Sequence, residues 1–255
     1  MAAARRIVEA DGFMRGGHYK GWLPTLFVGK LLQGATIGIV GAGRIGAAYA
    51  RMMAEGHKCN ILYFDPYQNT GLEGAINSYG QFLTGRGEAG VTCTRVATLE
   101  ELLARSDVVS LHTALDASTR HLMNATRLRQ MKPDGVLVNC ARGPVIDENA
   151  LVTHLRANPD FRVGLDVFEK EPLMADGMAS CPNAVIVPHI ASASMFTRGG
   201  MATLAAANVA ARLQGAPVWG NPNAVGPFLD GDVAHIPKAS PSIVNATELK
   251  LAKMA

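Results

Sequence analysis

The chain has 255 residues, of which 48% are hydrophobic and 18% are charged, the composition of an ordinary globular protein. Its formal net charge is only +3 and it has no long basic run, which argues against nucleic acid or an anionic membrane as a partner. No apolar run approaches the roughly 18 residues of a membrane-spanning helix, so we expect a soluble intracellular protein.

The four cysteines lie far apart and form no CxxC or Cys/His cluster: Cys59, Cys93, Cys140 and Cys181. The sequence therefore predicts neither a metal site nor a disulfide framework. Cys93 and Cys140 stand within apolar stretches and are expected to be small core residues in a reducing compartment.

The chain begins with an alanine-rich stretch containing two arginines, a composition that also opens some transit peptides. Glu9 and Asp11 argue against a transit peptide, because such peptides are poor in acidic residues. Ile7, Val8 and Phe13 fit one face of a helix, so we predict a structural helix here.

The middle of the chain alternates between short apolar runs and helical segments. Six runs are predicted to be strands: Thr36–Val40, Asn60–Phe64, Val108–Leu111, Val136–Asn139, Arg162–Leu165 and Val185–Val187. Helices are predicted at Ile45–Glu55, at Leu99–Ala104 with Thr98 as N-cap, and at Glu148–Ala157 with Asp147 as N-cap. This alternation predicts an α/β fold with a doubly wound parallel sheet.

Three segments depart from the alternation. Ala75–Gly90 looks like an insertion with a glycine-rich turn ahead of the next strand. Thr197–Leu213 is predicted to be one long alanine-rich helix whose small residues allow close packing. Ala216–Ser242 is rich in Pro, Gly, Asn and Asp, has little room for a core, and is expected to wrap over another part of the protein.

The motif GAGRIG follows the first predicted strand and opens the next helix. Gly41 permits the tight turn, Gly43 lets a pyrophosphate approach the backbone, and Gly46 lets the helix pack closely on the strand. The helix start offers free N–H groups and a partial positive charge to phosphate. Arg44 is expected to contact phosphate or ribose, with a solvated arginine as the alternative. In this context the motif predicts a dinucleotide site.

Asp65 ends the second predicted strand, where a carboxylate can accept hydrogen bonds from the adenosine ribose. The same carboxylate would repel a 2′-phosphate, so the sequence favours NAD(H) over NADP(H). A plain turn residue ahead of Pro66 is the alternative interpretation of Asp65.

Charged side chains follow three later strands, at the edge where open α/β sheets bind ligands: Arg142, Glu171 and His189. Each residue also has a purely structural alternative. Arg142 could form a surface ion pair, Glu171 could be a loop acid ahead of Pro172, and His189 could cap a strand. Beside a nicotinamide signature, the three suit hydride transfer to a small 2-keto acid. His189 would protonate the carbonyl oxygen, Glu171 would keep His189 protonated and oriented, and Arg142 would bind the substrate carboxylate. Asp166 is a candidate to hold the nicotinamide carboxamide.

These motifs resemble those of the D-2-hydroxyacid dehydrogenase family. The resemblance is carried, in the family's order, by GAGRIG, SLHTALDASTRHLMN (Ser110–Asn124), MKPDGVLVNCARGPVIDENAL (Met131–Leu151), GLDVFEKEP (Gly164–Pro172) and PHIASAS (Pro188–Ser194). It covers nearly the whole chain and implies that the catalytic residues are Arg142, Glu171 and His189. It also implies a cofactor contact surface made by the glycine loop with Arg44 and Ile45, and by Asp65, His112 and Asp166.

Several stretches resemble the plant-type branch of the family that reduces hydroxypyruvate, among them FMRGGHYKGWLPTLFVGKLLQG, YGQFLTGRGEAGVT and NPDFRVGLDVFEKEP. This implies NADH-dependent reduction of hydroxypyruvate to D-glycerate, with glyoxylate as a poorer substrate. It further implies a homodimer with an arm near residues 21–33. We hypothesise that Trp22 reaches the substrate site of the partner subunit, and a packed interface aromatic is the alternative.

The resemblance also implies the domain organisation: a linking helix in residues 1–20, an NAD-binding Rossmann domain in 21–190, and in 191–255 a long helix and tail that are the C-terminal remainder of a substrate-binding domain. Family members carry a longer part ahead of the glycine loop, which contacts the substrate and closes the cleft. We expect that part to be missing here and turnover to be poor.

Two other functions stay open beside hydroxypyruvate reduction. The chain could be another D-2-hydroxyacid dehydrogenase, such as one acting on phosphoglycerate, or a non-catalytic NAD(H)-binding module. The resemblance implies a peroxisome or mitochondrion of a photosynthetic eukaryote. The last residues, LKLAKMA, do not form a peroxisomal tripeptide of the SKL type, so a mitochondrion or the cytosol stays open as an expectation.

Overall fold

The structure is a computed structural model that describes residues 1–221, 224–229 and 238–252. The chain forms two compact units, Met1–His189 and Ile190–Ala255. No helix among the described residues combines the length and the apolar character that a membrane crossing requires.

The first unit is built on one seven-stranded sheet. Its strands are β1 Thr36–Val40, β2 Asn60–Phe64, β3 Cys93–Arg95, β4 Val108–Leu111, β5 Val136–Asn139, β6 Arg162–Leu165 and β7 Ala184–Ile186. The order across the sheet is β3-β2-β1-β4-β5-β6-β7, and every neighbouring pair is parallel. The order reverses beside β1, so the crevice between the carboxyl ends of β1 and β4 is the topological switch point. The predicted α/β fold with a doubly wound parallel sheet is therefore confirmed.

The strand predictions differ from the structure at two places. The predicted Val185–Val187 lies one residue later than β7, and β3 was not predicted. In β3 only Cys93 is buried, so this three-residue strand lacks the apolar run that identifies the others. The bounds of the remaining five strands agree with the prediction.

The helices of the first unit are α1 Ile7–Arg15, α2 Arg44–His57, α3 Thr70–Gly85, α4 Leu99–Arg105, α5 Ala125–Leu128 and α6 Glu148–Ala157. The two predicted caps are present: Thr98 accepts a hydrogen bond from the Glu101 N–H, and Asp147 accepts one from the Ala150 N–H. The predicted N-terminal helix exists as α1, but Ile7 and Val8 are more than half exposed and do not form a buried face.

The interpretation of Ala75–Gly90 as an insertion outside the alternation is wrong for most of its length, because α3 runs to Gly85 between β2 and β3. The glycine-rich turn expected before the next strand follows α3. Asn69 caps this helix by accepting a hydrogen bond from the Leu72 N–H, and Leu72, Ile76 and Leu83 are buried along one face. Gly80 is needed for close packing, since a Cβ built on it would lie 2.0 Å from the carbonyl oxygen of Val91. This glycine therefore marks a close contact between elements and does not interrupt the helix.

The core consists of two apolar clusters, one on each face of the sheet. Leu62, Val109 and Leu137 belong to one cluster, whereas Ile37, Ile61 and Tyr63 belong to the other. Successive strand residues point to opposite faces, so the continuous apolar runs fill both layers at once.

The second unit contains α7 Met195–Leu213, which includes the predicted long helix, and the short helix α8 Gly226–Leu229. Ser194 caps α7 by accepting a hydrogen bond from the Thr197 N–H. Within this unit the indole N–H of Trp219 donates to the Ala224 carbonyl oxygen at 3.1 Å, and its ring meets Phe228 edge-on. The predicted wrapping tail includes residues 222–223 and 230–237, which lie outside the described residues.

Candidate active site

The sheet register brings the ends of its central strands to one level. Val40 pairs with Phe64 and Leu111, Leu111 pairs with Asn139, and Asn139 pairs with Leu165. The residues that follow these positions therefore share one edge of the sheet, and they include Gly41, Asp65, His112 and Asp166. The parallel topology thus brings these four predicted site residues to one edge of the sheet.

Gly41 makes the tight turn after β1 with φ of +91°, a conformation that favours glycine. A Cβ built on Gly41 would also lie 2.9 Å from the His112 carbonyl oxygen. A Cβ on Gly46 would lie 2.0 Å from the Gly41 carbonyl oxygen, so this position holds α2 against the end of β1. Both glycines are therefore required by contacts within the chain.

Gly43 differs from the other two, because a Cβ built on it would meet no atom within 4 Å. Gly43 lines a cleft of about 650 Å³ together with Asp65 and His112, and it precedes α2 as an N-cap without a side-chain cap. Open space in front of an uncapped helix start suits a pyrophosphate that approaches the backbone. Arg44 and Ile45 are exposed on the first turn of α2.

Thr113 supplies a second observation that fits a dinucleotide. Its hydroxyl is buried, and within the described part of the chain it has no hydrogen-bond partner. Thr113 lines the same cleft as Gly43. Buried polar groups are normally hydrogen-bonded, so this hydroxyl is suited to a polar group of a bound ligand. The residues present fit NAD(H).

Asp65 holds the glycine loop as well as the end of β2. One carboxylate oxygen accepts from the Ala42 N–H at 2.8 Å and the other accepts from the Tyr67 N–H at 2.9 Å. The side-chain amide of Asn69 donates to the Ala42 carbonyl oxygen at 2.8 Å. Asp65 keeps lone pairs for ribose hydroxyls, since a carboxylate has about four acceptor positions. Asn69 was missed by the sequence reasoning, although its place just ahead of α3 is a cap signal.

His112 follows β4 in the cofactor cleft. Its Nε2 lies 2.9 Å from the Ser110 hydroxyl, and its ring is 5.3 Å from the Tyr49 ring. Burial lowers the pKa of His112 to about 4. This imidazole is therefore neutral at physiological pH and contributes hydrogen bonding without charge.

Glu171 and His189 form the pair predicted from the sequence, with Nδ1 of His189 at 3.0 Å from Oε2 of Glu171. The other Glu171 oxygen accepts from the Phe168 N–H at 3.1 Å. These hydrogen bonds, the one from His189 first, lower the pKa of Glu171, so it stays ionised near neutral pH. His189 has φ of +52°, the left-handed region, and its N–H donates to the Asp166 carbonyl oxygen. A non-glycine residue held there marks a position determined by its surroundings.

The pair opens onto a cavity of about 540 Å³ whose walls are mostly apolar, including Phe168, Met174 and Ile186.

Arg142 follows β5, and its guanidinium is exposed. Its carbonyl oxygen accepts from the Asn139 side chain at 2.9 Å, and its positive charge contributes to the lowered pKa of Glu171. Gly143 packs closely against the segment that leads to Glu171, since a Cβ built on Gly143 would lie 1.9 Å from the Phe168 carbonyl carbon. The backbone thus brings Arg142 and Glu171 to one region.

Two other predictions concern neighbours of this group. Asp166 is buried at the end of β6, with its N–H donating to the Asn139 carbonyl oxygen. Cys140 is exposed, so the expectation that it is a core residue is wrong, whereas Cys93 is buried as expected. Cys140 directly follows β5, where the chain leaves the sheet, and the apolar run before it does not extend burial beyond the strand.

Trp22 lies between α1 and β1 and is 79% exposed. Among the described residues, no group of three or more His, Cys, Asp or Glu side chains could hold a metal ion.

Comparison with known proteins places this architecture in a family. Residues 1–191 match the model of the D-isomer specific 2-hydroxyacid dehydrogenase NAD-binding domain. The chain therefore belongs to the D-isomer specific 2-hydroxyacid dehydrogenases, as its motifs indicated, and its larger unit is their NAD-binding domain.

The chain is 62% identical over 249 residues to glycerate dehydrogenase of Cucumis sativus, covering 98% of this chain and 65% of that protein. It is 61% identical over 251 residues to the peroxisomal glycerate dehydrogenase of Arabidopsis thaliana, with the same two coverages. A crystal structure of a Thermus thermophilus protein is similar with a TM-score of 0.72 at 39% identity, covering 84% of this chain and 62% of that one. The chain thus spans about 65% of the length of the curated relatives it matches.

Proposed function

We propose that this chain carries the catalytic and cofactor-binding residues for NADH-dependent reduction of hydroxypyruvate to D-glycerate, and of glyoxylate to glycolate. The observation that carries the proposal is the His189–Glu171 pair at 3.0 Å, beside Arg142, in an NAD-binding domain of this family. The similarity to two plant proteins named glycerate dehydrogenase supports the choice of substrate.

The cofactor would be held by groups of the cleft between β1 and β4. Gly43 and the start of α2 face the pyrophosphate, Asp65 accepts from the adenosine ribose, and the Thr113 hydroxyl offers a polar contact. When bound, NADH supplies the hydride that reduces the carbonyl carbon. The carboxylate of Asp65 disfavours a 2′-phosphate, which favours NADH over NADPH.

His189 supplies the proton that the reduced carbonyl oxygen requires. Its Nδ1 faces Oε2 of Glu171, and this orients the ring so that Nε2 is the donating atom. The ionised Glu171 carboxylate faces the imidazole at 3.0 Å and keeps the ring in place before and after the transfer. One hydride and one proton convert the ketone into the alcohol.

Arg142 binds the substrate carboxylate. Its exposed guanidinium lies at the carboxyl end of β5 and offers paired N–H donors that match a carboxylate. A substrate bound in this way would offer its carbonyl to His189, and Asp166 would hold the nicotinamide carboxamide.

The test is NADH oxidation assayed with hydroxypyruvate, glyoxylate and 3-phosphohydroxypyruvate. We expect turnover to be fastest with hydroxypyruvate and measurable with glyoxylate. Preference for the phosphorylated substrate would overturn the assignment in favour of a phosphoglycerate-type enzyme. Tight NADH binding without turnover on any of the three would identify a binding module.

A homodimer is part of the proposal. The segment of residues 21–33 exposes large apolar side chains, with Trp22 at 79%, Val28 at 64% and Leu31 at 70% exposure. Exposed apolar groups concentrated in one segment favour an interface. Sedimentation analysis should give twice the chain mass, and a monomer at micromolar concentration would contradict the dimer.

We propose that the remaining residues, 191–255, belong to a substrate-binding domain, and that the protein functions in a peroxisome. The name of the Arabidopsis thaliana relative supports this compartment. Co-localisation of the tagged protein with a peroxisomal marker in plant cells would test it, and a mitochondrial or cytosolic signal would exclude it.

A further inference from the structure

Glu148 is a buried carboxylate with no part in the reaction described above. It is the first residue of α6 and is 4% exposed. Its Oε1 accepts from the Glu169 N–H at 2.5 Å, and its Oε2 accepts from the Ala175 N–H at 3.0 Å. Since Glu171 lies between Glu169 and Ala175, one side chain fastens both ends of the loop that carries Glu171.

A second carboxylate reinforces this attachment. Glu169 and Glu148 each accept a hydrogen bond from the other's backbone, because Oε1 of Glu169 accepts from the Glu148 N–H at 3.0 Å. Its Oε2 lies 3.0 Å from Nε2 of His121. His121 is itself fixed by its N–H, which donates to the Pro144 carbonyl oxygen beside Arg142 and Gly143. We call the group of Glu148, Glu169 and His121 the loop clamp.

The loop clamp is electrostatically costly. Burial raises the pKa of Glu148, and Glu169 and Glu171 add like charge nearby. The N-terminus of α6 and the two accepted N–H bonds offset part of that cost. Apolar residues often replace buried charges without loss of stability, so stability alone does not explain a carboxylate here. A carboxylate can, however, accept from two separate backbone N–H groups at once, which an apolar residue cannot do.

We propose that Glu148 is a positioning residue, which holds the loop so that Glu171 meets His189. It acts through Glu171 and has no contact with the substrate. This inference rests on the proposed function, because the position of Glu171 matters for the proton donor of that reaction.

The test compares Glu148→Gln with Val152→Ala. The introduced glutamine side chain would keep one acceptor oxygen and turn an NH2 group against the other backbone N–H. Val152 is buried on the same helix, 5% exposed and outside the loop clamp, so its truncation controls for general loss of stability. Glu148→Asp serves as a milder variant, because its shorter carboxylate keeps the charge but cannot span both N–H groups.

Two measurements are made on each variant, together with melting temperature. The pKa of the Glu171 carboxyl is followed by carbon-13 NMR, assigned with Glu171→Gln. In Glu148→Gln we expect it to rise towards the ordinary value, because the hydrogen bonds from His189 and Phe168 weaken. Hydroxypyruvate turnover should fall on the order of 10- to 100-fold, as for a misplaced catalytic group, while NADH affinity stays within about twofold. Val152→Ala should lower the melting temperature alone.

The inference fails if Glu148→Gln and Val152→Ala shift the Glu171 pKa equally, or if Glu148→Gln keeps wild-type turnover. If the wild-type protein reduces no keto acid, the proposed function fails, while the NMR titration still decides whether Glu148 positions Glu171. If Glu148→Gln does not fold, Glu148→Asp decides by the same two readouts.

Discussion

Two histidines follow strands of the same sheet edge, and their surroundings differ. His112 is partly buried beside Tyr49 and Ser110 with a pKa lowered to about 4, whereas the His189 side chain is 50% exposed and faces Glu171. The proposed cofactor half of the edge therefore combines a neutral imidazole, a helix start and the carboxylate of Asp65, which is held by backbone N–H groups. The catalytic half gathers charged side chains that keep access to solvent. A cofactor of fixed shape suits a preformed cleft, while proton transfer needs groups that can change charge.

The largest effect should come from exchanging the two histidines separately for glutamine. His189→Gln removes the general acid, so turnover should fall on the order of 10²–10⁴-fold while NADH affinity is kept. His112→Gln should instead weaken NADH binding with a smaller effect on turnover of the bound complex. Fluorescence titration with NADH and saturating steady-state kinetics check both. Wild-type turnover in His189→Gln would disprove the mechanism.

A pair of glycine substitutions should separate folding from binding in the cofactor half. Gly41→Ala introduces a Cβ at φ of +91° and 2.9 Å from a carbonyl oxygen, so stability should fall by about 1–3 kcal/mol along with NADH binding. Gly43→Ala meets no atom of the chain, so stability should be kept and only NADH affinity lost. Denaturant unfolding and NADH titration provide the two readouts. Unchanged NADH affinity in Gly43→Ala would show that the pyrophosphate lies elsewhere.

A smaller effect is expected for Asp65→Ser, which removes the charge that opposes a 2′-phosphate. The ratio of NADH to NADPH affinity should fall by roughly tenfold, equivalent to about 1.4 kcal/mol. Because Asp65 also accepts from the Ala42 N–H, NADH itself should bind somewhat less tightly. An unchanged ratio would mean that Asp65 serves the loop alone.

The smallest effect concerns Trp22, which belongs to neither half of the edge. If Trp22 reaches the partner subunit's substrate site, Trp22→Ala should raise the KM for hydroxypyruvate a few-fold without changing NADH affinity. Trp22→Phe should restore much of that loss, since it keeps an aromatic ring. Unchanged substrate kinetics in a protein that remains dimeric would leave Trp22 as an interface aromatic.

Local signals made much of this molecule predictable. Five strands were located to the residue because parallel strands buried on both faces are continuous apolar runs. The structure differed where the local signal conflicted with packing. The glycine-rich stretch Ala75–Gly90 suggested an insertion, yet Gly80 lies within α3 against Val91. Cys140 continued an apolar run, yet it is exposed.

In the candidate site, too, some residues were predictable from local sequence signals and others were not. Glu171 and His189 were paired in advance because both follow strand ends and their chemistry is complementary. Asn69 and Glu148 were not identified, since their roles depend on groups distant in the sequence, and Thr113 was not identified because the burial of its hydroxyl is a property of the fold. Asn69 contacts Ala42, and Glu148 contacts Ala175. Nearly every residue has a backbone N–H and a carbonyl group, so the sequence does not indicate which of them a given side chain will contact.

By itself, the sequence determined the fold class, the glycine loop, the acid at the end of β2 and the charged residues after the later strands. These features depend on side-chain type and short spacing, which the sequence states directly. The tertiary structure decided that the His112 imidazole is neutral, that Gly43 faces open space and that Glu148 fastens the Glu171 loop. Burial, free volume and hydrogen bonds between distant segments arise only once the chain has folded.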